Sequence, residues 1–393
     1  MFKNKSLLAL ALGGFGIGMT EFVMMGLLPD IATSLSITIP QAGHLISMYA
    51  LGVVVGAPLI SGLAGKFRPN RILQGLMAFF ALAHVLSAFA PNYEMMMLAR
   101  FVAGLPHGAY FGVGAVVAGR LAAKGKAAQA ISVMFAGLTI AIIVGVPLGT
   151  YLGHTFNWRI VMALIAAIGF VTVLTLKAWL PEVAANSNAS FRNDLKIFAR
   201  VDTWYAIFIT SIGTGGLFAW FSYIAPLSTN VAKFDPASVT FILITAGVGM
   251  SVGNTIGGYL ADTFSPVKAT CGLLLLMCVC LLIGVPAASH QWSLLLMTFV
   301  TGAVAFSVVS PIQTLIIRAT EGAEMLGSSL GQAGFNMGNA VGAFLGGLPL
   351  VYGYGFTAPQ VVGSGLAFTG AMIAAALAWR TSSRSASAQT SIT

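Results

Sequence analysis

Three ionisable side chains lie inside long apolar stretches of this sequence, where charged residues are otherwise scarce. Glu21 interrupts the apolar run from Gly16 to Leu28, and Arg100 and His107 lie together in a later run. An ionisable group at membrane depth costs at least about 2 to 3 kcal/mol, so it is commonly paired and functional. A carboxyl group, a cation and an imidazole that titrates near neutrality are what a proton relay needs.

The depths of these residues predict which of them can meet. At 1.5 Å per residue, Glu21 lies roughly 10 Å below the outer end of its span and Arg100 roughly 8 Å below the outer end of its own. We therefore predict that Arg100 pairs with Glu21, which carries the proton, although Glu21 as a purely structural carboxylate is the alternative. His107 lies on the same helical face as Arg100, roughly 18 Å deep, and either joins the relay or only packs between helices. Which of His44 and His107 titrates stays open, and His84, near an outer end, receives no role.

The composition identifies the elements that must position these residues. Charged residues make up 7% of the chain and hydrophobic residues 58%, far from the roughly 25% and 45 to 50% of soluble domains. An apolar run of roughly 20 residues crosses a bilayer as a helix. The fold class is therefore an all-α membrane protein with twelve transmembrane helices, at about 7–28, 42–62, 72–90, 95–117, 128–153, 159–179, 203–227, 238–258, 268–288, 292–316, 327–350 and 359–379.

An internal repeat divides these spans into two halves of six. The stretch Leu63 to Pro69 returns as Leu260 to Pro266, an offset of 197 residues, and Gly52 and Gly56 have counterparts at the same offset. A register kept over such a distance indicates two halves with elements of nearly equal length. We predict an N-terminal half at 1–180, a cytoplasmic linker at 181–202 with a short helix from about 190 to 200, a C-terminal half at 203–380 and a disordered cytoplasmic tail at 381–393.

The second half lacks the ionisable set. At the offset of 197, the counterparts of Glu21, Arg100 and His107 are Phe218, Met297 and Val304. We therefore expect the first half to handle protons and the second half to supply an apolar and amide-lined wall for a solute. The candidate substrate-binding residues are Phe218, Phe221, Gln313 and Asn336, with anchoring at the membrane interface as the alternative for the two aromatics.

Small residues form a stripe in spans 5 and 11. Such a stripe lets two helix backbones approach closely, and a proline adds a bend. Helix packing is the preferred interpretation, and it is packing that a rocking motion of two halves would need. The residues concerned are Gly145, Pro147, Gly149, Gly342 and Gly346.

The positive charge of the chain follows its topology. The net charge is +9. With a cytoplasmic N-terminus, the Lys and Arg residues at the span ends and in the loops fall on the cytoplasmic side, except Arg159 and Lys233. This positive-inside bias places both termini in the cytoplasm. It leaves no signal for nucleic-acid binding, so the expected surroundings are the lipid bilayer.

Several classes of function find no support in the sequence. There is no nucleotide-binding Gly-Lys-Ser/Thr loop, no cluster with metal-ligand spacing and no Ser/His/Asp set at a common depth. We therefore predict that the chain is not an enzyme or an ATP-driven pump, needs no cofactor or metal, and acts as a monomer. A non-transporting membrane sensor is a further alternative.

The loop after the second span of each half resembles a signature of the major facilitator superfamily. The match is best at Gly258-Tyr259-Leu260-Ala261-Asp262 with Lys268, whereas Gly65 stands at the acidic position of the first half. The resemblance implies a cytoplasmic gate in which this aspartate pairs with basic residues, with Asp262, Lys268, Arg68 and Arg71 as candidates. Arg100-x-x-x-Gly104 resembles the proton-coupling motif of the superfamily, and the span-5 stripe resembles a motif of its antiporters.

Five further stretches are similar to AraJ/YdhP-like efflux permeases (the arabinose-efflux-permease type) of the drug:proton antiporter branch. They are residues 18–22, 43–47, 106–109, 311–313 and 335–343. The resemblance implies a bacterial inner-membrane antiporter that exports a small organic solute, such as a sugar, nucleoside or drug, in exchange for protons by alternating access. It also implies a cavity lined by spans 1, 4, 7 and 10, with Glu21, Arg100, His107 and Phe218 around one space. An uncoupled facilitator or an importer of the same fold is the alternative.

Overall fold

Each apolar run of the sequence forms helix in the computed structural model, which describes residues 5–64, 67–123, 127–183 and 195–390. The first half contains α1 Lys5–Gly26, α2 Ile39–Ala64, α3 Pro69–Ala88, α4 Tyr93–Leu121, α5 Ala127–Ile140 continuing through Val146–Thr155, and α6 Trp158–Trp179. The second half contains α7 Val201–Phe208 continuing through Gly215–Phe221, α8 Val239–Thr263, α9 Pro266–Ala287, α10 Gln291–Ser307 continuing as Val309–Ala319, α11 Glu324–Val351 and α12 Ala358–Thr390.

Eleven helices of the described residues are long and apolar enough to cross a membrane. The twelfth predicted span is α11, which has the length but carries Gln332, Asn336 and Asn339 in its middle. These amides lower the hydropathy of α11, and Asn336 and Asn339 are fully buried inside the bundle. The predicted fold class, twelve transmembrane helices in two halves of six, is therefore confirmed.

The repeated loop ends in both halves with a proline at the first position of the next helix. Pro69 begins α3 and Pro266 begins α9. Proline suits this position because the first amide groups of a helix have no intrahelical acceptor. Asn92 and Asn157 cap α4 and α6 in the more usual way, since their side chains accept a hydrogen bond from a backbone amide of the first turn.

The repeat is also visible in how the helices pack. In the first half α1 packs on α5, α2 on α4 and α3 on α6, and in the second half α7 packs on α11, α8 on α10 and α9 on α12. Gly56 of α2 lies against the backbone of Leu105 on α4, and Gly253 of α8 lies against the backbone of Ala303 on α10. Gly56 and Gly253 are thus 197 residues apart, whereas their partners Leu105 and Ala303 are 198 residues apart. The register of the repeat differs by one residue between α4 and α10.

Close backbone contact at Gly56 gives a testable prediction for stability. A Cβ at this position overlaps the Leu105 carbonyl group, whereas Gly75 of α3 has nothing within 4 Å of its Cβ position. We expect Gly56→Leu to destabilise the protein by about 1 to 3 kcal/mol through overpacking, and Gly75→Leu to have little effect. The apparent Tm of the two variants purified in detergent checks this, and equal Tm values would contradict the packing described for α2 and α4.

Helix α5 contains a π-helical turn that accommodates its proline. The turn spans Ala141–Gly145 and directly precedes Val146. A π-helical turn contains one residue more than an α-helical turn, and here it lies just before Pro147, which has no amide hydrogen to donate. Gly145 and Gly149 then lie against Phe15 and Met19 of α1. The glycine stripe of α5 thus serves close packing within the first half, as predicted.

The stripe of α11 serves the same purpose in the second half. Gly342 and Gly346 lie against Ala219 of α7. The predicted span 203–227 is less regular than expected, because a π-helical turn at Ile209–Gly213 interrupts α7 and a second one, Leu227–Val231, follows its end.

The two halves meet along two pairs of helices that differ in extent. Helices α2 and α11 touch along their whole length, with Ser47 Oγ donating to the Ala340 carbonyl at 3.0 Å and the hydroxyls of Ser61 and Ser329 2.7 Å apart. Helices α5 and α8 touch from the packing of Gly247 on Ile142 through the Val146–Thr155 part of α5, and they diverge on the other side of this contact. We call the end where α1 begins and α12 ends the terminal face, and the other end the opposite face. The gap between α5 and α8 opens at the terminal face.

One sequence prediction about the connections lies partly outside the described residues, and a second one needs correction. The chain forms a 3₁₀ helix at Leu195–Ala199, while residues 184–194, where the short linker helix was expected to begin, lie outside the described residues. Helix α12 continues to Thr390, so residues 381–390 of the expected disordered tail are helical. Extending an existing helix avoids the cost of nucleation, which favours this continuation.

Candidate functional site

Arg100 is completely buried and is held by the neighbour of Glu21. Its guanidinium donates to Thr20 Oγ1 at 2.7 Å and to the Thr20 carbonyl at 3.2 Å. The guanidinium carbon also lies 4.3 Å from the centre of the Tyr49 ring, a cation–π arrangement. Arg100 of α4 therefore lies at the level of Glu21 on α1, as the depth calculation predicts.

The predicted ion pair between Glu21 and Arg100 is not formed. Both side chains are described, and no nitrogen and oxygen of the two lie within 4.0 Å. The reason is local: successive residues of a helix point about 100° apart, and the guanidinium is directed at Thr20. Glu21 is 2% exposed, its Oε1 has no hydrogen-bond partner among the described residues, and the Asn336 amide of α11 lies beside its carboxyl group.

His84 belongs to this buried cluster, although sequence reasoning gave it no role. Its Nε2 lies 2.7 Å from Thr20 Oγ1 and its Nδ1 lies 2.8 Å from the Phe80 carbonyl. The Phe80 carbonyl can only accept a hydrogen bond, so Nδ1 of His84 carries the ring hydrogen and Nε2 is an acceptor. Arg100 can only donate, so the Thr20 oxygen accepts from Arg100. The Thr20 hydroxyl hydrogen is then donated to Nε2 of His84. Each group in the chain from Arg100 to Phe80 thus has a defined hydrogen-bond direction.

This chain of hydrogen bonds predicts different effects for two substitutions of His84. In His84→Gln an amide oxygen can replace Nε2 as the acceptor for Thr20, whereas His84→Leu leaves the buried hydroxyl without its acceptor. We expect His84→Leu to lower stability by about 1 to 3 kcal/mol and His84→Gln to lower it less. Apparent Tm values of the purified variants measure the difference, and a Leu variant as stable as the Gln variant would refute the arrangement.

His107 occupies the next level of the bundle. Its Nδ1 lies 3.1 Å from the Tyr49 hydroxyl, and its ring packs between the rings of Tyr49 and Phe111. Gln332 of α11 also interacts with the imidazole. Tyr49 therefore links His107 to Arg100, since the same phenol ring receives the guanidinium on its face.

The predicted aromatic wall closes the bundle instead of lining a cavity. Phe218 and Phe221 are at most 1% exposed, and both pack on Phe22 of α1 with ring centres 6.3 and 6.2 Å apart. Phe218 also meets Phe335 of α11 at 5.1 Å. The two residues thus seal the contact between the halves, and Asn336 lies beside Glu21 in the same closed region.

A cavity of about 760 Å³ lies between the halves and opens at the terminal face. It is lined by α4, α5, α8, α10 and α11, which corrects the expectation of α1, α4, α7 and α10. Its polar lining includes Gln313, as predicted, and also Asn254 and Gln332. Helices α1 and α7 are absent from this lining because their aromatic contact closes the opposite face. Arg120 is the one charged side chain among the described lining residues, which include no Asp or Glu.

The charged residues of the expected gate are exposed at the terminal face. Arg68 forms an ion pair with Glu182 at 2.7 Å, and Arg71, Asp262 and Lys268 are exposed. Neither Asp262 nor Lys268 takes part in an ion pair with any described residue. The contact implied by the motif is thus not made in this structure, in which the terminal face is open.

The opposite face carries a histidine–carboxylate hydrogen bond that sequence reasoning missed. His154 at the end of α5 lies 2.9 Å from Asp30 in the short helix Leu28–Ser34. Nearby, the Tyr223 hydroxyl donates to the Ala343 carbonyl at 2.7 Å, and His44 Nδ1 lies 3.0 Å from the Tyr93 hydroxyl. Each of these contacts joins helices of one half, so they brace the two halves separately at the end of the bundle remote from the cavity mouth.

A family model matches nearly the whole chain. The model for the Major Facilitator Superfamily matches residues 10–319 and, in a second match, residues 221–391. This chain belongs to the major facilitator superfamily. The first match covers the first half and the second half as far as Ala319, and the second match lies within the C-terminal part of the chain.

Relatives within the superfamily cover almost the full length of the chain. It is 41% identical over 362 residues to the inner membrane transport protein YdhP of Escherichia coli, covering 92% of each chain. It is 36% identical over 353 residues to the putative transporter AraJ of Escherichia coli, covering 90% of each, and 30% identical over 342 residues to a chloramphenicol resistance protein of Streptomyces lividans, covering 85% and 86%. The chain is therefore a multi-pass membrane transporter of the superfamily.

A solved structure supports the same fold at low identity. The crystal structure of a bacterial homologue of the human lysosomal transporter Spinster, in an inward-facing and occupied conformation, superposes with a TM-score of 0.71. The identity is 15%, and the match covers 96% of both chains. The twelve-helix arrangement is thus the superfamily fold.

Proposed function

We propose that this transporter exports a small organic solute in exchange for protons by alternating access. The observation that carries the proposal is Glu21: a carboxyl group 2% exposed, with no cation within 4.0 Å among the described residues, beside the contact between the halves. An ionisable group kept at this depth without an ion pair is expensive unless it serves transport. Glu21 binds the proton when the cavity faces one side and releases it when the halves rearrange.

Arg100 supplies the cation that makes this exchange reversible. In this structure Thr20 holds the guanidinium away from the carboxyl group. A rotation of α1 against α4 replaces Thr20 by Glu21 as the partner of Arg100, which favours the ionised carboxylate. Proton and solute need only favour opposite states of this one equilibrium for transport to be coupled.

The sidedness follows from the charges at the terminal face. In this proposal that face lies in the cytoplasm, with both chain termini, because the basic residues outside the spans concentrate there. The cavity mouth then opens to the cytoplasm, the side from which an exporter takes its solute. A bacterial inner membrane is the corresponding location, as the name of the relative YdhP suggests.

The cavity suits a neutral amphipathic solute. Its volume of about 760 Å³ lies within the range of pockets for drug-sized molecules. Its lining is mostly apolar with a few amides and hydroxyls, including Asn254, Gln313 and Ser310. A lipophilic cation that enters finds no carboxylate among the described lining residues, so its charge loses hydration without a partner.

Proton movement in proteoliposomes tests the proposal. We would add chloramphenicol, arabinose, uridine or tetraphenylphosphonium to vesicles that contain the purified protein and a trapped pH indicator. The expected result is a proton signal opposite in direction to solute flux, given by at least one neutral solute and not by the cation. Solute flux without a proton signal would replace antiport by facilitated diffusion, and a signal only with the cation would refute the substrate class.

A further inference from the structure

One side chain of α11, Gln332, joins the cavity to the buried cluster. It lines the cavity, and its amide interacts with the imidazole of His107. The Tyr49 hydroxyl occupies Nδ1 of that imidazole, whereas Nε2 has no fully formed hydrogen bond to any described residue. Gln332 is thus positioned beside His107 without being fixed to it.

Asn336, four residues after Gln332 in α11, lies beside Glu21. The Asn336 amide donates to the Gln332 carbonyl at 3.1 Å, so the two residues belong to one helical turn. The Asn336 side chain interacts with the Glu21 carboxyl group, and both Asn336 Oδ1 and Glu21 Oε1 have no hydrogen-bond partner among the described residues. A single turn of the second half therefore lies against two of the buried ionisable groups of the first half, Glu21 and His107.

We infer that Gln332 couples occupancy of the cavity to the proton on Glu21, an inference that rests on the proposed function. A solute with a hydrogen-bonding group competes with His107 for the Gln332 amide. Loss of that contact loosens His107 from Tyr49, whose ring supports Arg100. Release of Gln332 from His107 also frees this turn of α11 to shift, and the shift moves Asn336, which is hydrogen-bonded to the Gln332 backbone carbonyl, relative to Glu21. Binding of solute thereby changes how readily the carboxyl group holds its proton. By linkage, the proton then changes solute affinity by the same factor.

Two matched substitutions separate coupling from simple solute binding. Gln332→Met removes the amide at nearly constant length, and Gln313→Met does the same on α10 within the same cavity lining. We expect Gln313→Met to raise the half-saturating solute concentration about fivefold, with an unchanged number of protons per solute. We expect Gln332→Met to raise the half-saturating solute concentration by a similar factor and, in addition, to lower the number of protons per solute about tenfold, while solute exchange down its own gradient continues.

Variants of His107 provide an independent measurement of the same contact. His107→Asn keeps an amide near the position of Nδ1 for Tyr49 but has no atom at Nε2. We expect it to reproduce the loss of coupling in Gln332→Met, and the double variant to be no worse than either single one, because both remove one interaction.

The outcomes distinguish this inference from the proposed function. If the unaltered protein moves solute without protons, the proposed function itself fails. If the unaltered protein is coupled and either Gln332→Met or His107→Asn keeps its number of protons per solute, the inference about Gln332 is overturned. Should Gln332→Met not fold, His107→Asn alone decides, since its exchange activity reports correct folding.

Discussion

Replacing Glu21 by glutamine is expected to abolish solute accumulation against a gradient. The amide has the shape of the protonated carboxyl group but cannot release a proton, so the equilibrium between the two states no longer responds to the proton gradient. The ratio of solute concentrations across the membrane should fall to about 1 at steady state, because only downhill exchange remains. That residual exchange should also lose its dependence on pH.

Glu94 provides the matched control for this substitution. It lies in the first turn of α4 and is exposed, so Glu94→Gln removes the same charge without touching the buried cluster. Accumulation of labelled solute in proteoliposomes with an imposed pH gradient measures both variants. Normal accumulation by Glu21→Gln would show that the proton is carried elsewhere, and loss of accumulation in both variants would point to a general effect of charge.

A disulfide across the contact between α5 and α8 is expected to stop transport reversibly. The Cβ position at Gly247 lies 3.2 Å from Cγ2 of Ile142, so cysteines at the two positions come within the reach of a disulfide. Oxidation of Ile142→Cys/Gly247→Cys should hold the opposite face closed and reduce flux to background, because the cavity cannot open there. A reductant should restore flux to the level of the unoxidised protein. The free native cysteines, Cys271, Cys278 and Cys280, are first replaced by serine.

A second cysteine pair controls for cross-linking itself. Ala81 of α3 and Gly169 of α6 lie within one half, with a Cβ separation of 2.9 Å. Oxidation of Ala81→Cys/Gly169→Cys should leave transport intact, because the halves move as units in alternating access. Full activity of the oxidised α5–α8 pair would mean that transport does not require these helices to separate.

The architecture was predictable from the sequence because membrane insertion leaves few choices. Every apolar run long enough to cross the bilayer had to be a helix, because a helix satisfies its own backbone hydrogen bonds. The repeat of Leu63 to Pro69 then divided the twelve runs into two halves of six. The break in α7 was missed, since apolar periodicity does not report where a helix unwinds. The continuation of α12 to Thr390 was missed because a polar tail was equated with disorder.

The site was predictable in its ionisable members and not in its contacts. Glu21, Arg100 and His107 stand out because charge is rare in these spans, and the structure brings them into one region. Thr20 and His84 gave no such signal: threonine is ordinary in membrane helices, and the position of His84 against α1 depends on how α3 is rotated. The cavity was misplaced because its lining depends on which face of the bundle is open, which composition does not encode.

The difference of one residue between α4 and α10 matters for anyone who compares or exchanges the halves. A shift of one position turns a side chain by about 100° around the helix axis. The ungapped counterpart of Arg100 is Met297, but the packing of Gly253 on Ala303 makes the spatial counterpart Thr298, a buried threonine whose hydroxyl has no partner among the described residues. A second guanidinium designed into the C-terminal half would therefore point toward the interior from position 298 and away from it at 297.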